Sequence, residues 1–247
     1  MKKYFQALLM CRSMFCAIPC PWNRVWNEEA RDKMLLFLPV IGLEMGAVWL
    51  GIGWICRHFA LTPLITGLLL SVHPFLATGF LHLDGYMDVI DAVKSCRGFE
   101  ERRRILKDSH VGAFAVIGVV LLVVAQFAVC GSFKENANLC VLLLIPVVSR
   151  CCSALAVTIL SPMDTSQYAG QKKSSGRVAT ILIMLVAAVS AGFVFWGLWG
   201  FVFVGELAGY GLALRKGYKA LQGINGDICG YALTISELAA LFVMVFI

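Results

Sequence analysis

The sequence has 247 residues, of which 60% are hydrophobic and 15% charged, with a net charge of +6 and a mean hydropathy of +0.81. This composition excludes an ordinary soluble domain and indicates a protein that crosses a membrane several times. No basic surface interleaved with aromatic residues is apparent, so we expect no nucleic-acid partner. The ten cysteines are scattered without a C-x-x-C pair, which favours buried hydrophobic thiols over disulfides or a metal site.

The N-terminal segment, residues 1–33, is one of the two longest polar stretches. Its apolar positions are interrupted by Gln6, Arg12 and two prolines, which argues against a cleaved signal peptide. We predict instead an amphipathic helix from Tyr4 to Phe15 that lies at the membrane surface.

Seven apolar runs are long enough to cross a hydrocarbon layer, for which about 20 residues are needed. We therefore predict an all-α polytopic membrane bundle, a single domain over residues 1–247. The sixth run is short and Gly-rich, and a re-entrant hairpin with the fifth is the alternative. The predicted spans are 34–56, 60–81, 111–131, 139–161, 178–197, 198–214 and 228–247.

The basic residues predict the orientation of these spans, because cytoplasmic loops retain Lys and Arg. Eighteen of the 21 basic residues fall in four clusters, at 1–33, 94–107, 172–177 and 215–219. Seven spans with a cytoplasmic N-terminus place all four clusters on the cytoplasmic side. The net charge is therefore explained mainly by topology.

Three aspartates, Asp84, Asp88 and Asp91, occur in the stretch HLDGYMDVIDA at the cytoplasmic end of the second predicted span. Their i, i+4, i+7 spacing places them on one face of a helix. Carboxylates so close together repel one another unless they share protons or cations, and Mg²⁺ suits such a set of oxygen ligands. The alternative is a hydrated, acidic helix end. Gly85 would allow a ligand or another backbone to approach closely.

The rest of the polar segment 82–110 carries the opposite charge. Arg102, Arg103 and Arg104 favour binding to anionic lipid headgroups at the membrane surface, with binding to substrate phosphates as the alternative. The sequence Lys107-Asp108-Ser109 is not required by topology. We predict that it lies beside the aspartate helix.

The stretch LQGINGDICGYALTISEL precedes and begins the last span. Asp227 could cap this helix or lie near its N-terminus, where negative charge is favourable. Alternatively, the Gly-rich turn around Asn225 and Gly226 could present backbone N–H groups to an anion.

These three stretches, in this order, resemble the cobalamin synthase family, the adenosylcobinamide-GDP ribazoletransferases. The family carries H-L-D-G-x-x-D-x-x-D-G, M-[KR]-D-S-x-x-G and G-G-x-T-G-D-x-x-G-A-x-x-E-x-x-E elements, and the likeness extends over essentially the whole chain, including FCAIPCPW near its start. The chain departs from this pattern at single positions without losing an aspartate: Ala17, Ala92, Gln222, Asn225 and Thr234.

The resemblance implies a membrane phosphotransferase that joins α-ribazole, or its 5′-phosphate, to adenosylcobinamide-GDP and releases GMP. It implies Mg²⁺ as cofactor, a location in the bacterial or archaeal cytoplasmic membrane, and a site that faces the cytoplasm. A homo-oligomer, or association with other enzymes of the corrinoid pathway, is left open.

The site residues expected from this resemblance fall into two sets. The metal ligands and catalytic residues would be Asp84, Asp88, Asp91 and Asp108, with Lys107 as a catalytic cation. Residues that bind the substrate would be His82, Arg102, Arg103, Arg104, Ser109, Asn225, Gly226 and Asp227.

Three other functions are alternatives to this one. A weaker likeness to the CDP-alcohol phosphotransferases rests on Asp88, Asp91 and Arg97, but the second half of that signature is absent. An ion-coupled transporter would place its acids at the membrane midplane and would show repeats. A scaffold for other pathway enzymes would not explain the spacing of the aspartates.

Overall fold

The computed structural model describes residues 2–19, 26–164, 166 and 174–247. Cys20, the end of the FCAIPCPW stretch and the predicted cytoplasmic residues Lys172 and Lys173 lie outside them. Within the described residues the chain is helical, in the order α1 Lys2–Phe15, α2 Glu28–Arg31, α3 Leu38–His58, α4 Pro63–Ala77, α5 Leu81–Lys94, α6 Phe99–Ile105, α7 Ala113–Gly131, α8 Ile145–Ile159, α9 Ser175–Trp196, α10 Phe201–Leu221 and α11 Gly226–Phe246. Short 3₁₀ segments precede α3, α8 and α10.

Five stretches of the described chain are long and apolar enough to cross a membrane: Met34–His58, Ala113–Gly131, Leu139–Ile159, Ser175–Leu221 and Gly226–Phe246. The fourth contains both α9 and α10, of 22 and 21 residues. The all-α membrane bundle is therefore confirmed, whereas the count of seven spans and the cytoplasmic N-terminus stay predictions. The sixth predicted span is longer than expected, because α10 continues past residue 214 to Leu221.

The predicted span 60–81 is wrong in its bounds. Helix α4 ends at Ala77, and α5 starts after a bend of 89°. Gly79 and Phe80 both adopt left-handed backbone angles, with φ of 58° and 65°, and so turn the chain through about a right angle. The two helices would count as a sixth span only if taken together. Since α5 has only 14 residues and turns away from α4, we do not count it as membrane-spanning.

Helix α11 lies at the centre of the bundle, where it packs against α5, α8 and α10. A buried ion pair joins it to α8, with Arg150 Nη1 2.8 Å from Glu237 Oε1. Helix α3 packs against α8, and α4 packs against α7. Trp49 of α3 is fully buried and donates a hydrogen bond of 2.8 Å to the Leu70 carbonyl of α4. These contacts fix α11 and the helices around it as one core.

The predicted N-terminal helix is confirmed as α1, and its position at a membrane surface stays a prediction. It buries Ala7, Met10 and Cys11 and exposes Tyr4. Arg12 holds it to α3 through a bidentate contact with Glu44, with Nη2 2.6 Å from Oε1.

The described cysteines agree with their expected role as hydrophobic side chains. They are all free, and most are buried: Cys11, Cys16, Cys56, Cys130, Cys151, Cys152 and Cys229. Of the remaining two, Cys140 is half-buried and Cys96 exposed.

Candidate functional site

Helix α5 carries the three predicted aspartates and has two distinct faces. Its buried residues are Gly85, Tyr86, Val89 and Ala92, which pack against α11 and α7. Asp84 is exposed, and Asp88 and Asp91 are half-buried. The helix therefore binds the bundle with one face and presents its carboxylates along another, as their spacing predicts.

Two glycines allow α5 and α11 to approach closely. A Cβ atom at Gly85 would lie 2.8 Å from the Asp227 Cα atom, and one at Gly230 would lie 3.1 Å from the His82 carbonyl oxygen. Real Cβ contacts are rarely so short, so a side chain at either position would separate the helices. Between these glycines the Tyr86 and Tyr231 rings stack with centroids 5.7 Å apart. Close packing thus brings the start of α11 against the aspartate helix.

Asn225, rather than Asp227, caps α11. Its side-chain oxygen accepts a hydrogen bond of 3.0 Å from the Ile228 N–H, as an N-cap residue does. Its amide nitrogen donates a hydrogen bond of 2.6 Å to Asp227 Oδ2. The cap therefore also orients the Asp227 carboxylate, which lies in the first turn after Gly226, near the positive end of the helix dipole.

Four carboxylates from two helices act on one another. Burial, followed by the charges of Asp84, Asp227 and Asp91, raises the pKa of Asp88 to about 7. Such a shift is expected where like charges share a partly dehydrated site. Asp227 was expected from the sequence to bind substrate, and the structure shows that it also belongs to this group. We call Asp84, Asp88, Asp91 and Asp227 the carboxylate cluster.

The loop between α6 and α7 approaches this cluster at Asp91. The Asp91 carboxylate lies directly against Gly112, where a Cβ atom would overlap it. Asp108, on the same loop, is exposed and is not among the groups that raise the pKa of Asp88. It accepts a hydrogen bond of 3.0 Å from the His110 N–H, and this bond and the contact with the His110 ring lower the pKa of Asp108.

The basic residues differ in what they contact. Arg103 donates hydrogen bonds of 3.1 Å to the Leu221 and Gln222 carbonyls, so it closes the C-terminal end of α10. Arg104 pairs with Glu101 one turn earlier on the exposed face of α6. Arg102 is half-buried, and its Nε atom is buried without a hydrogen-bond partner. Of the three arginines, Arg102 therefore has a buried donor available for an anion.

Three other predicted residues lie on the segments that carry or contact the cluster. Lys107 and Ser109 are exposed on the loop that carries Asp108. His82 is half-buried at the start of α5, and its Nδ1 atom is buried without a hydrogen-bond partner. Its carbonyl accepts a hydrogen bond of 3.5 Å from Thr234, one of the positions where the chain departs from the family pattern.

No group of three His, Cys, Asp or Glu side chains among the described residues forms a ready-made metal site. This finding is compatible with Mg²⁺, which keeps several waters and takes one or two carboxylates together with substrate phosphates. The ligand chemistry fits as well, because the cluster offers only hard oxygen atoms. Burial and the neighbouring carboxylates together raise the pKa of Asp88, and a bound cation would counter both effects by favouring the ionised form. The carboxylate cluster therefore fits Mg²⁺ bound jointly with a phosphate-bearing ligand.

The fold and site define the class of the protein as an α-helical membrane protein with a carboxylate cluster at one end of its bundle, where α7 and α11 begin. The comparison with known proteins agrees with this class. The sequence model of the cobalamin-5-phosphate synthase family matches residues 7–245, and the chain belongs to this family.

Curated relatives resemble the chain over nearly their whole length. The adenosylcobinamide-GDP ribazoletransferase of Clostridium botulinum (strain Alaska E43) is 34% identical over 249 residues, which cover 98% of both chains. The protein of the same name from Clostridium perfringens (strain 13) is 35% identical over 252 residues, 99% of both. That of Brevibacillus brevis is 30% identical over 97% of both chains. No solved structure matches the chain.

Proposed function

We propose that this protein is an adenosylcobinamide-GDP ribazoletransferase that joins α-ribazole, or its 5′-phosphate, to adenosylcobinamide-GDP. The observation that carries the proposal is the close contact between Gly85, next to Asp84 on the aspartate helix, and Asp227 at the start of α11 in a chain of this family. The relatives that match nearly the whole chain carry the name of the same reaction.

The proposed reaction exchanges one bond to phosphorus for another. A ribose hydroxyl oxygen that is free in both α-ribazole and its 5′-phosphate bonds to the phosphorus that carries the cobinamide arm, and its proton passes to a base. The bond from that phosphorus to the GMP oxygen breaks, and GMP leaves with the electron pair. Such a transfer depends on alignment of the reacting groups and on charge stabilisation more than on covalent catalysis.

The cofactor of this proposal is Mg²⁺, held by the carboxylate cluster, with Asp84, Asp88 and Asp91 as ligands on α5 and Asp227 beside them. When bound, Mg²⁺ supplies positive charge that stabilises the attacking and leaving oxygens of a phosphoryl transfer. Asp108 remains a candidate further ligand. It lies on the loop that contacts Asp91 through Gly112.

The other residues bind or orient the substrates in this proposal. Arg102, with its unpartnered buried Nε atom, and the exposed Lys107 hold phosphate oxygens. Asp108, an exposed carboxylate on the loop before α7, accepts the hydroxyl proton; its lowered pKa makes it a weak base. Arg103 acts indirectly, because it fixes the end of α10 just before the Asn225 cap.

We further propose that the site faces the cytoplasm in a prokaryotic cytoplasmic membrane. Most of the Lys and Arg residues outside the spans follow the cytoplasmic pattern described above. The carboxylate cluster lies at the bundle end that also carries Arg102 and Lys107, where the substrates would then be supplied.

The test is GMP release by the purified protein in detergent, given adenosylcobinamide-GDP and α-ribazole with and without Mg²⁺. We expect Mg²⁺-dependent release that the double variant Asp84→Asn/Asp88→Asn lowers by about a thousandfold or more. The matched control is Glu135→Gln, an exposed acid in the loop after α7, which should leave the rate unchanged. Full activity in the double variant would refute the site, and GMP release without Mg²⁺ would refute the cofactor.

A further inference from the structure

A cavity of about 160 Å³ lies behind the carboxylate cluster, between α5, α8 and α11. Asp227 lines the cavity and also belongs to the cluster. The cavity therefore begins at the proposed reaction site and extends into the bundle towards Arg150 and Ser153 of α8.

The walls of the cavity are mainly apolar. They include Phe15, Leu38, Leu81, Val157 and Leu233, from five different helices. A cavity of about 150 Å³ with apolar walls is large enough to bind benzene in a well-studied protein. This cavity can therefore hold a small aromatic ring system, and a flat apolar group suits its walls better than a hydrated one does.

Two buried nitrogen atoms give the cavity a polar end. Arg150 is only 2% exposed, and its Nε atom has no hydrogen-bond partner. The Nδ1 atom of His82 is buried and equally without a partner, and both residues line the cavity. Because buried donors are normally satisfied, the Arg150 Nε–H group indicates a ligand with a hydrogen-bond acceptor, whereas His82 Nδ1 donates or accepts according to its tautomer.

The charges favour a neutral ligand over a phosphate. The Arg150 guanidinium is already paired with Glu237, with Nη1 2.8 Å from Oε1, and Ser149 shares that carboxylate at 3.0 Å. The Asp227 carboxylate lines the cavity as well and would repel a dianion. A heteroaromatic ring with an unsubstituted ring nitrogen meets both requirements, because it is apolar and carries a neutral acceptor.

We propose that this cavity binds the heteroaromatic base of the nucleoside substrate, with Arg150 Nε donating to the free ring nitrogen of the base. The inference rests on the proposed function for the identity of the nucleoside. A base in the cavity would leave its sugar at Asp227, beside the other carboxylates of the cluster. Arg150 and His82 then determine which bases are accepted.

In the test, isothermal titration calorimetry measures the binding of two small probes of similar size to the purified protein. Benzimidazole has a ring nitrogen acceptor, and indole does not. We expect saturable binding of benzimidazole with a dissociation constant at least tenfold lower than that of indole. Inorganic phosphate is the third probe, and we expect it not to compete with benzimidazole.

Substitutions that fill the cavity test whether benzimidazole binds there. Leu81 lines it and is 41% exposed, so Leu81→Trp should fill the opening, keep the fold and weaken benzimidazole binding at least tenfold. Val157→Phe fills the cavity from α8, and the conclusion is drawn from whichever of the two variants keeps the wild-type unfolding temperature. The control is Leu76→Trp, an exposed α4 position that does not line the cavity, where binding should be unchanged.

Several results would overturn the inference: no saturable binding, equal binding of indole, competition by phosphate, or unaltered affinity in a folded cavity variant. Failure of the proposed function is a separate outcome, because it is read from GMP release. GMP release without benzimidazole binding would refute only the cavity assignment. In the transferase assay, Leu81→Trp should raise KM for α-ribazole tenfold or more while leaving KM for adenosylcobinamide-GDP unchanged.

Discussion

Gly85 and Asp227 lie so close that a Cβ atom at Gly85 would be 2.8 Å from the Asp227 Cα atom and 3.1 Å from its carbonyl oxygen. This contact, between residues far apart in the chain, fixes the aspartate helix α5 against the start of α11. The arrangement of the carboxylate cluster therefore requires a residue without a side chain at position 85.

Gly85→Ala should force α5 and α11 apart. We expect a loss of about 1–3 kcal/mol in the free energy of unfolding, as for other overpacked contacts, together with a large loss of GMP release. Thermal unfolding in detergent and the transferase assay measure the two effects. Gly51→Ala is the control, because a Cβ atom there would meet nothing within 4 Å. Equal behaviour of the two variants would contradict the close contact.

Asp88 should make the stability of the metal-free protein depend on pH. Its pKa is raised to about 7 in the folded state, against about 3.9 for an unfolded aspartate. The folded state therefore holds more protons between these values, and stability falls as the pH rises from about 4 to 7. We expect the unfolding temperature to fall over this range and Mg²⁺ to restore it at pH 8.

The matched variant for this prediction is Asp88→Asn, whose amide side chain stays neutral throughout this pH range. It should unfold at a higher temperature than the wild type in metal-free buffer at pH 8, and Mg²⁺ should stabilise it less. An unfolding temperature with the same pH profile in both proteins would show that Asp88 is not the group responsible.

Gln222→Gly should stabilise the protein. Gln222 ends α10 with left-handed angles, φ 50° and ψ 53°, a conformation that costs a non-glycine residue roughly 1–2 kcal/mol. Its side chain is exposed, and Arg103 binds only its carbonyl. We expect a gain of about 1 kcal/mol in unfolding free energy, measured by thermal unfolding, with Gln222→Ala showing no gain.

Substitutions of Arg103 and Arg104 should differ in their effect on the free energy of unfolding, although the two residues are adjacent. Arg103→Gln removes two charged hydrogen bonds to the end of α10 and should cost about 1.5–3 kcal/mol in unfolding free energy. Arg104→Gln removes an exposed pair with Glu101, worth about 0–1 kcal/mol. Thermal unfolding of both variants makes the comparison, and an equal small loss would show that Arg103 does not stabilise α10.

The spacing of the aspartates predicted a single helical face, and α5 confirms it. Such periodicity is a local property, which makes it visible in the sequence. The turn after α4 was missed because the apolar run continues to Leu81, and only the φ angles of Gly79 and Phe80 reveal the bend. Local hydropathy contains no information on such angles.

Contacts between distant helices could be anticipated only in part. The buried pair of Arg150 and Glu237 joins residues 87 positions apart in the sequence, and no local pattern identifies such a partner. Likewise Asp227 was assigned to the substrate, and its closeness to Asp88 depends on the packing permitted by Gly85 and Gly230. Three-dimensional contacts of this kind follow from how helices meet, which no single stretch of sequence specifies.

The bend between α4 and α5 has a consequence for how the protein is made. Cellular insertion machinery selects segments by apolar character, and one aspartate at the centre of a helix adds roughly 3 kcal/mol to the cost of insertion. The bend leaves the three aspartates outside Pro63–Ala77. Substitutions at these three aspartates therefore need not alter which segments enter the bilayer, so the polar face of α5 and the insertion of α4 can evolve separately within one continuous stretch of chain.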